Sequence, residues 1–193
     1  FLSGQPHMIL YVIIFAWLYA VYRFIQTESN IIIASGNLLI FSSACILGIG
    51  LAAFQLIPSF ELYQLSTINQ ASSQFIFKRF LVPMSHLFSI FIPNFFGNQA
   101  TYNYWGRGDY IETVASVGLI PCFFTLLAIG YGPKNHKNLI GFFVATTIIS
   151  VLLTINWYGS RLFFALGIPV LSSDVPSRIF VLTTFSLSIL AGI

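Results

Sequence analysis

Asn94, Asn98, Tyr102, Asn103, Tyr104, Trp105, Arg107, Asp109 and Glu112 crowd into one short interval of the chain. Aromatic rings beside amides and carboxylates are what a sugar asks of a protein: its apolar faces stack on rings, and its hydroxyls bond to amide and carboxylate oxygens. The same composition also describes an aromatic belt at a membrane interface, with glycines making the turns. Two carboxylates stand apart, Glu61 and Glu112. Each is a candidate general base, metal ligand or sugar-hydroxyl acceptor, since a carboxylate near membrane depth tends to face a cavity or a partner. Against this, Glu112 suits the N-terminus of a helix, and Glu61 suits a pair with a basic residue across a loop. Arg178, after Pro176 and Ser177, can hold a phosphate bidentately or reach lipid headgroups by snorkelling.

Other chemistries find little footing. His7, His86 and His136 show no spacing with acids or cysteines that resembles a metal site, and there is no Gly-rich phosphate loop or nucleophile elbow. Cys45 and Cys122 both fall in apolar runs and read as packing residues. No metal is expected, and no cofactor or catalytic residue is assigned.

The elements that position these residues follow from composition. The 193 residues are 57% hydrophobic and only 7% charged, whereas soluble domains carry about a quarter charged residues. The solvent for this chain is hydrocarbon. Its net charge of +3 reflects a scarcity of acids; without a Lys/Arg cluster, nucleic acid is excluded as a partner. Five apolar runs, at 8–25, 31–57, 113–131, 139–155 and 179–193, predict an all-α polytopic transmembrane helix bundle in one transmembrane domain, with about five membrane helices. Small residues in the second run permit close helix contact, and Pro58 is expected to end it. The outer loop is placed at 58–112. Within it, residues 75–96 predict interfacial or re-entrant helix, and 161–170 a second short interfacial helix.

Loop charge sets the orientation. Arg23, Lys134 and Lys137 lie in short loops, which go to the cytoplasm, so 58–112 and 156–178 face outward. The last run would rise only about 22 Å as a helix, short of the ~30 Å hydrocarbon core. The chain is therefore expected to be an internal fragment of a larger polytopic protein.

In order along the chain stand Gly4-Gln5-Pro6-His7, AFQLIPSFELYQLS (53–66), PNFFG (93–97), YWG (104–106), Glu112, VGLIP (117–121) and VPSRIF (175–180). This series resembles the YfhO-like family of bacterial membrane proteins, of the GT-C class of integral-membrane glycosyltransferases, across nearly the whole chain. The resemblance implies a multi-pass protein of the bacterial plasma membrane. It implies transfer of a sugar from a polyprenyl-phosphate carrier to a cell-envelope polymer on the outer face, with the catalytic acid upstream of Phe1. It further implies that Tyr104 and Trp105 stack the sugar and that Asn94 and Glu112 bond its hydroxyls. Arg178 with Arg107 would face the lipid phosphate, and Glu61 would organise the outer cavity. A transporter or flippase, and a non-catalytic envelope scaffold, remain alternatives. The nearly charge-free midplanes of the runs speak against the transporter, whose mark is charge at the bilayer centre.

Overall fold

A backbone immersed in lipid must satisfy its own N–H and C=O groups, and only helices or closed barrels do so. The computed structural model of this chain describes residues 6–27, 31–65, 81–166 and 175–193. Among them the structure is all-helical, without strands, and the only β pairing is one isolated parallel bridge between Val82 and Ile155. The chain divides into two compact units, Phe1–Gln70 and Ala71–Ile193.

In the first unit, α1 (Pro6–Thr27) begins on a proline, whose missing N–H costs nothing in a first turn. It packs along α2 (Ile31–Leu51), and α2 meets α3 (Ala53–Leu65). The chain bends at Ala52, whose N–H reaches both Gly48 O (3.2 Å) and Ile49 O (3.1 Å). Pro58 lies inside α3 and does not end a helix, contrary to the expectation from its ring. The helix has already restarted on Ala52, whose carbonyl takes the N–H groups of Gln55 and Leu56, and proline removes only one bond of such a ladder. Three of the small residues of α2, Gly36, Gly48 and Gly50, face open space, with no neighbouring atom within 4 Å of a Cβ built on them.

The second unit holds two one-turn helices, α4 (Phe88–Phe91) and α5 (Tyr110–Thr113), and four longer ones. These are α6 (Leu119–Tyr131), α7 (Lys137–Thr154), α8 (Tyr158–Ala165) and α9 (Phe180–Gly192). Turns of 3-10 helix at Met84–Leu87, Lys134–His136 and Pro176–Ile179 lead into α4, α7 and α9. Helix α9 packs along both α6 and α7. The third apolar run does not become one helix from Thr113. Val117 and Gly118 donate their N–H groups to Ile90 O (3.1 and 3.2 Å), and Gly118 adopts φ 89°, so α6 starts only at Leu119.

Among the described residues three helices are long and apolar enough to cross a membrane: Met8–Thr27, Ile32–Leu51 and Lys134–Thr154. Leu119–Tyr131 and Pro176–Gly192 are shorter apolar helices. Hydroxyls inside the long helices bond back to their own ladders, as Ser42 does to Leu38 O (2.6 Å) and Thr147 to Phe143 O (2.9 Å). Between helices the hydroxyls act as ties. Thr125 Oγ1 donates to Leu187 O (3.2 Å), joining α6 to α9. Ser150 Oγ donates to Thr147 O (3.0 Å) and so accepts from Thr183 Oγ1 (2.7 Å), joining α7 to α9 where both side chains are buried. Around them Val82, Ile90, Ala115, Cys122, Phe180 and Leu187 form one apolar cluster, which carries the loop residues 82, 90 and 115 into the same core as the helices.

Removing the Ser150 hydroxyl leaves Thr183 Oγ1 without its acceptor, and removing the Thr183 hydroxyl leaves Ser150 Oγ only its bond to Thr147 O, a cost of about 0.5–1.5 kcal/mol in each case. Ser150→Ala and Thr183→Val should each lower the unfolding free energy in detergent micelles by that order, and the double variant should lose clearly less than the sum. Additive losses in the denaturant titration would show that the two side chains are not coupled.

Candidate functional site

The polar interval is built as a small folded module on the apolar core. Val82 donates its N–H to Thr154 O (3.1 Å) and accepts that of Asn156 (2.9 Å), which pins the start of the module to the C-terminal end of α7. From there the chain turns at Asn94 (φ 58°) and Gly97 (φ 78°). A side chain at Gly97 is doubly forbidden, by its positive φ and because a Cβ would stand 2.2 Å from Asn103 O. The amides beyond it hold the turn: Asn98 Oδ1 accepts from Ala100 N (2.7 Å), and Asn103 Oδ1 accepts from Asn98 N (2.9 Å) and Thr101 Oγ1 (2.7 Å).

His86 is the centre of the module. Its side chain is buried at 3% exposure and its ring lies flat on Phe96, with centroids 4.2 Å apart and planes 12° from parallel. Its Nε2 accepts the backbone N–H of Arg107 (3.2 Å), so the ring is neutral with its hydrogen on Nδ1. Burial holds its pKa below the ordinary imidazole value. The sequence offered no signal for this role beyond a histidine in an amphipathic stretch.

The expected site residues sort themselves by what they touch. Glu112 and Arg178, distant in the chain, meet: Arg178 Nη2 lies 3.4 Å from Glu112 Oε1, with 21% and 25% of the two side chains exposed. The pairing follows from contact between α5 and the 3-10 turn that opens α9. Glu112 also occupies the first turn of α5, as its helix-dipole reading had it. Beside Arg178, Ser177 Oγ is buried and has no hydrogen-bond partner.

Tyr104 is committed to the module. Its hydroxyl lies within hydrogen-bond distance of two acceptors, Thr113 Oγ1 (3.1 Å) and Arg107 O (3.2 Å), which share its one proton, and its ring stands edge-on to Tyr110 at 5.5 Å. Thr113, not foreseen as a site residue, also donates to Asp109 O (2.9 Å). Asn94 Oδ1 accepts the Tyr110 hydroxyl in a short hydrogen bond. Trp105 differs: its indole packs one side against Phe96 at 4.8 Å yet remains 66% exposed, and the Arg107 side chain is exposed too. Glu61 lies exposed on α3, in the first unit. Among the described residues no group of three or more His, Cys, Asp or Glu side chains could hold a metal ion. His136 is exposed in the turn before α7.

The arrangement can do three things chemically. It presents an aromatic face at Trp105, a guanidinium held by a carboxylate at the mouth of α9, and an unengaged cation at Arg107. No protein-family model, curated protein or solved structure matches this chain.

A neutral His86 sets a pH dependence. In the unfolded chain the imidazole binds a proton below about pH 6.5, while the folded module resists protonation because the proton displaces the Arg107 N–H and charges a buried ring. Stability contributed by the module is therefore complete above that value and declines as pH falls through it toward the lower folded pKa. Thermal or denaturant unfolding between pH 7.5 and 5 should show this decline in the native protein. His86→Gln, which keeps an acceptor and does not titrate, should flatten it over the same range; equal slopes for the two proteins would remove His86 as the cause.

Proposed function

We propose that this chain is part of a membrane glycosyltransferase that moves a sugar from a polyprenyl-phosphate carrier to a cell-envelope polymer at the outer face of the bacterial plasma membrane. The observation that carries the reading is the partly exposed Arg178–Glu112 pair at the start of an apolar helix, in one unit with a polar module that exposes Trp105. A lipid-linked sugar is a hydrophilic head on an apolar tail, and the place to meet it is where a fixed cation and a sugar-stacking ring top a helical bundle. The YfhO-like motif series, whose members PNFFG, YWG, Glu112 and VPSRIF all fall in this unit, supports the same reading.

In the transfer an acceptor hydroxyl oxygen bonds to the anomeric carbon while the bond from that carbon to the carrier phosphate breaks. The electron pair leaves with the phosphate. Arg178 stabilises the charge growing there, Glu112 holds the guanidinium in place, and exposed Arg107 adds a second cation. Trp105 stacks the sugar. The module's own bonding narrows the remaining roles: Tyr104 and Asn94 shape the turn under the sugar, because the Tyr104 hydroxyl and Asn94 Oδ1 are already engaged. Glu61 is proposed to organise the outer cavity. The base that takes the acceptor's proton is assigned to no residue of this chain.

The reading also treats α6 and α9 as membrane spans beside the three long helices, giving five. The 3-10 turn and α9 together rise about 27 Å, close to the ~30 Å core, and α9 packs along both α6 and α7. The short basic loops face the cytoplasm.

Two measurements test this. Glu112→Ala and Arg178→Ala in the intact protein should abolish sugar transfer from a polyprenyl-phosphate sugar in a reconstituted assay while expression is retained; normal transfer by both would remove the site. Single cysteines at Trp105 and Lys134 should react with a membrane-impermeant maleimide from opposite sides of the membrane, and reaction from one side would overturn the topology and the transfer reaction with it.

A further inference from the structure

The chain carries no Asp, Glu, Lys or Arg between Arg79 and Arg107, a long interval for a segment outside the spanning helices. Its middle exposes several large apolar side chains while burying two polar ones. Met84, Phe88, Phe91, Ile92 and Phe95 are 65%, 57%, 44%, 42% and 41% exposed, while the polar His86 and Ser89 are 3% and 2% exposed. The five apolar residues run through the 3-10 turn, the one-turn helix α4 and the turn that follows it, and Phe88 and Phe95 stack at 5.5 Å among them. In water such a face would be a liability. Several of its polar groups are bonded from within: His86 N–H on Pro83 O (2.9 Å), Ser89 Oγ on His86 O (2.6 Å), Ile92 N–H on Phe88 O (3.0 Å) and Phe95 N–H on Ile92 O (3.3 Å), while Ser85 and Asn94 are exposed. Backbone satisfied from within is the condition for contact with hydrocarbon.

The position of the face decides what covers it. At one end Val82 is bonded across the C-terminal end of α7, and toward the other Ile90 O takes two N–H groups from the residues just before α6. The C-terminus of α7 and the N-terminus of α6 lie at the same end of this unit, since Val151 near the first and Val117 and Cys122 at the second pack in one apolar cluster with Val82 and Ile90. The face thus bridges the ends of two apolar helices at one rim and continues into the exposed Leu119, Ile120 and Phe123 of α6.

We propose that residues 84–95 dip their exposed face into the lipid leaflet at this rim, holding the polar turn 98–109 at headgroup height. Met84, Phe88, Phe91, Ile92 and Phe95 contact acyl chains and glycerol, and His86 and Phe96 form the inner side on which the turn is built. This seat depends on apolar exposure and backbone bonding and not on any transfer activity.

The test uses the whole protein in phosphatidylcholine–phosphatidylglycerol vesicles, with Cys45 and Cys122 replaced by Ala. Single cysteines introduced as Met84→Cys, Phe88→Cys, Phe91→Cys and Phe95→Cys are labelled with an environment-sensitive fluorophore, and Tyr102→Cys, at a 96% exposed position in the polar turn, serves as control. Labels at the four face positions should emit to the blue of the control and be quenched several-fold more strongly by spin-labelled lipids. Quenching no greater than at the control would overturn the proposal. So would blue emission without lipid quenching, which would mean that protein, such as a second copy, covers the face. Should Phe88→Cys fail to fold, Met84→Cys, which changes a largely exposed side chain, gives the same reading. Sugar transfer is assayed separately, so loss of activity with lipid quenching intact would count against the enzyme reading alone.

Discussion

The second unit depends on a few backbone hydrogen bonds that join loop to helix ends. Val82 bonds to Thr154 and Asn156 at the end of α7, and Ile90 O binds the N–H groups of Val117 and Gly118 just before α6. A helix end leaves carbonyl and N–H groups without intrahelical partners, and these contacts spend some of them on the loop. Because the loop supplies Val82, Ile90 and Ala115 to the same apolar cluster as Cys122, Phe180 and Leu187, it is packed as core and not draped over the helices. Everything polar above it inherits a fixed floor.

Most serine and threonine hydroxyls described within the apolar helices find an acceptor nearby. Most return to a carbonyl of their own helix three or four residues back, which changes neither packing nor charge. Thr125, Ser150 and Thr183 instead reach across to or from α9, so the same chemistry that makes serine and threonine tolerable in lipid also ties α9 between its neighbours. Ser186 and Ser177 are exceptions, buried with no partner for the hydroxyl. The second of these adjoins the Arg178–Glu112 pair.

Much of the fold was legible in residue types alone. Apolar runs located all five of the longer apolar helices to within a few residues at one end or the other, because burial in hydrocarbon demands a continuous apolar stretch. Their limits were less legible. Pro58 looked like a stop, but a ladder with bonds on both sides of it absorbs one missing N–H. Thr113 looked like the start of a span, but the N–H groups of Val117 and Gly118 go to a residue far back in the chain, which no local pattern announces. The site divided in the same way. Glu112 and Arg178 stood out as rare charges, while their pairing did not. Tyr104 and Asn94 were recognisable as polar and aromatic, but not as residues already engaged with Thr113 and Tyr110. His86 was nearly silent in the sequence, since its importance lies in what stacks on it and what donates to it.

The sequence by itself determined that this is a helical chain with helices long and apolar enough to cross a membrane and that its polar residues gather outside the apolar runs, because the cost of placing charge or unpaired backbone in hydrocarbon is set residue by residue. Only the tertiary structure decided which of those polar residues are spent on one another and which, such as Trp105, remain presented. Hydrogen bonds and ion pairs between residues distant in the chain are properties of geometry, and no spacing rule carries them.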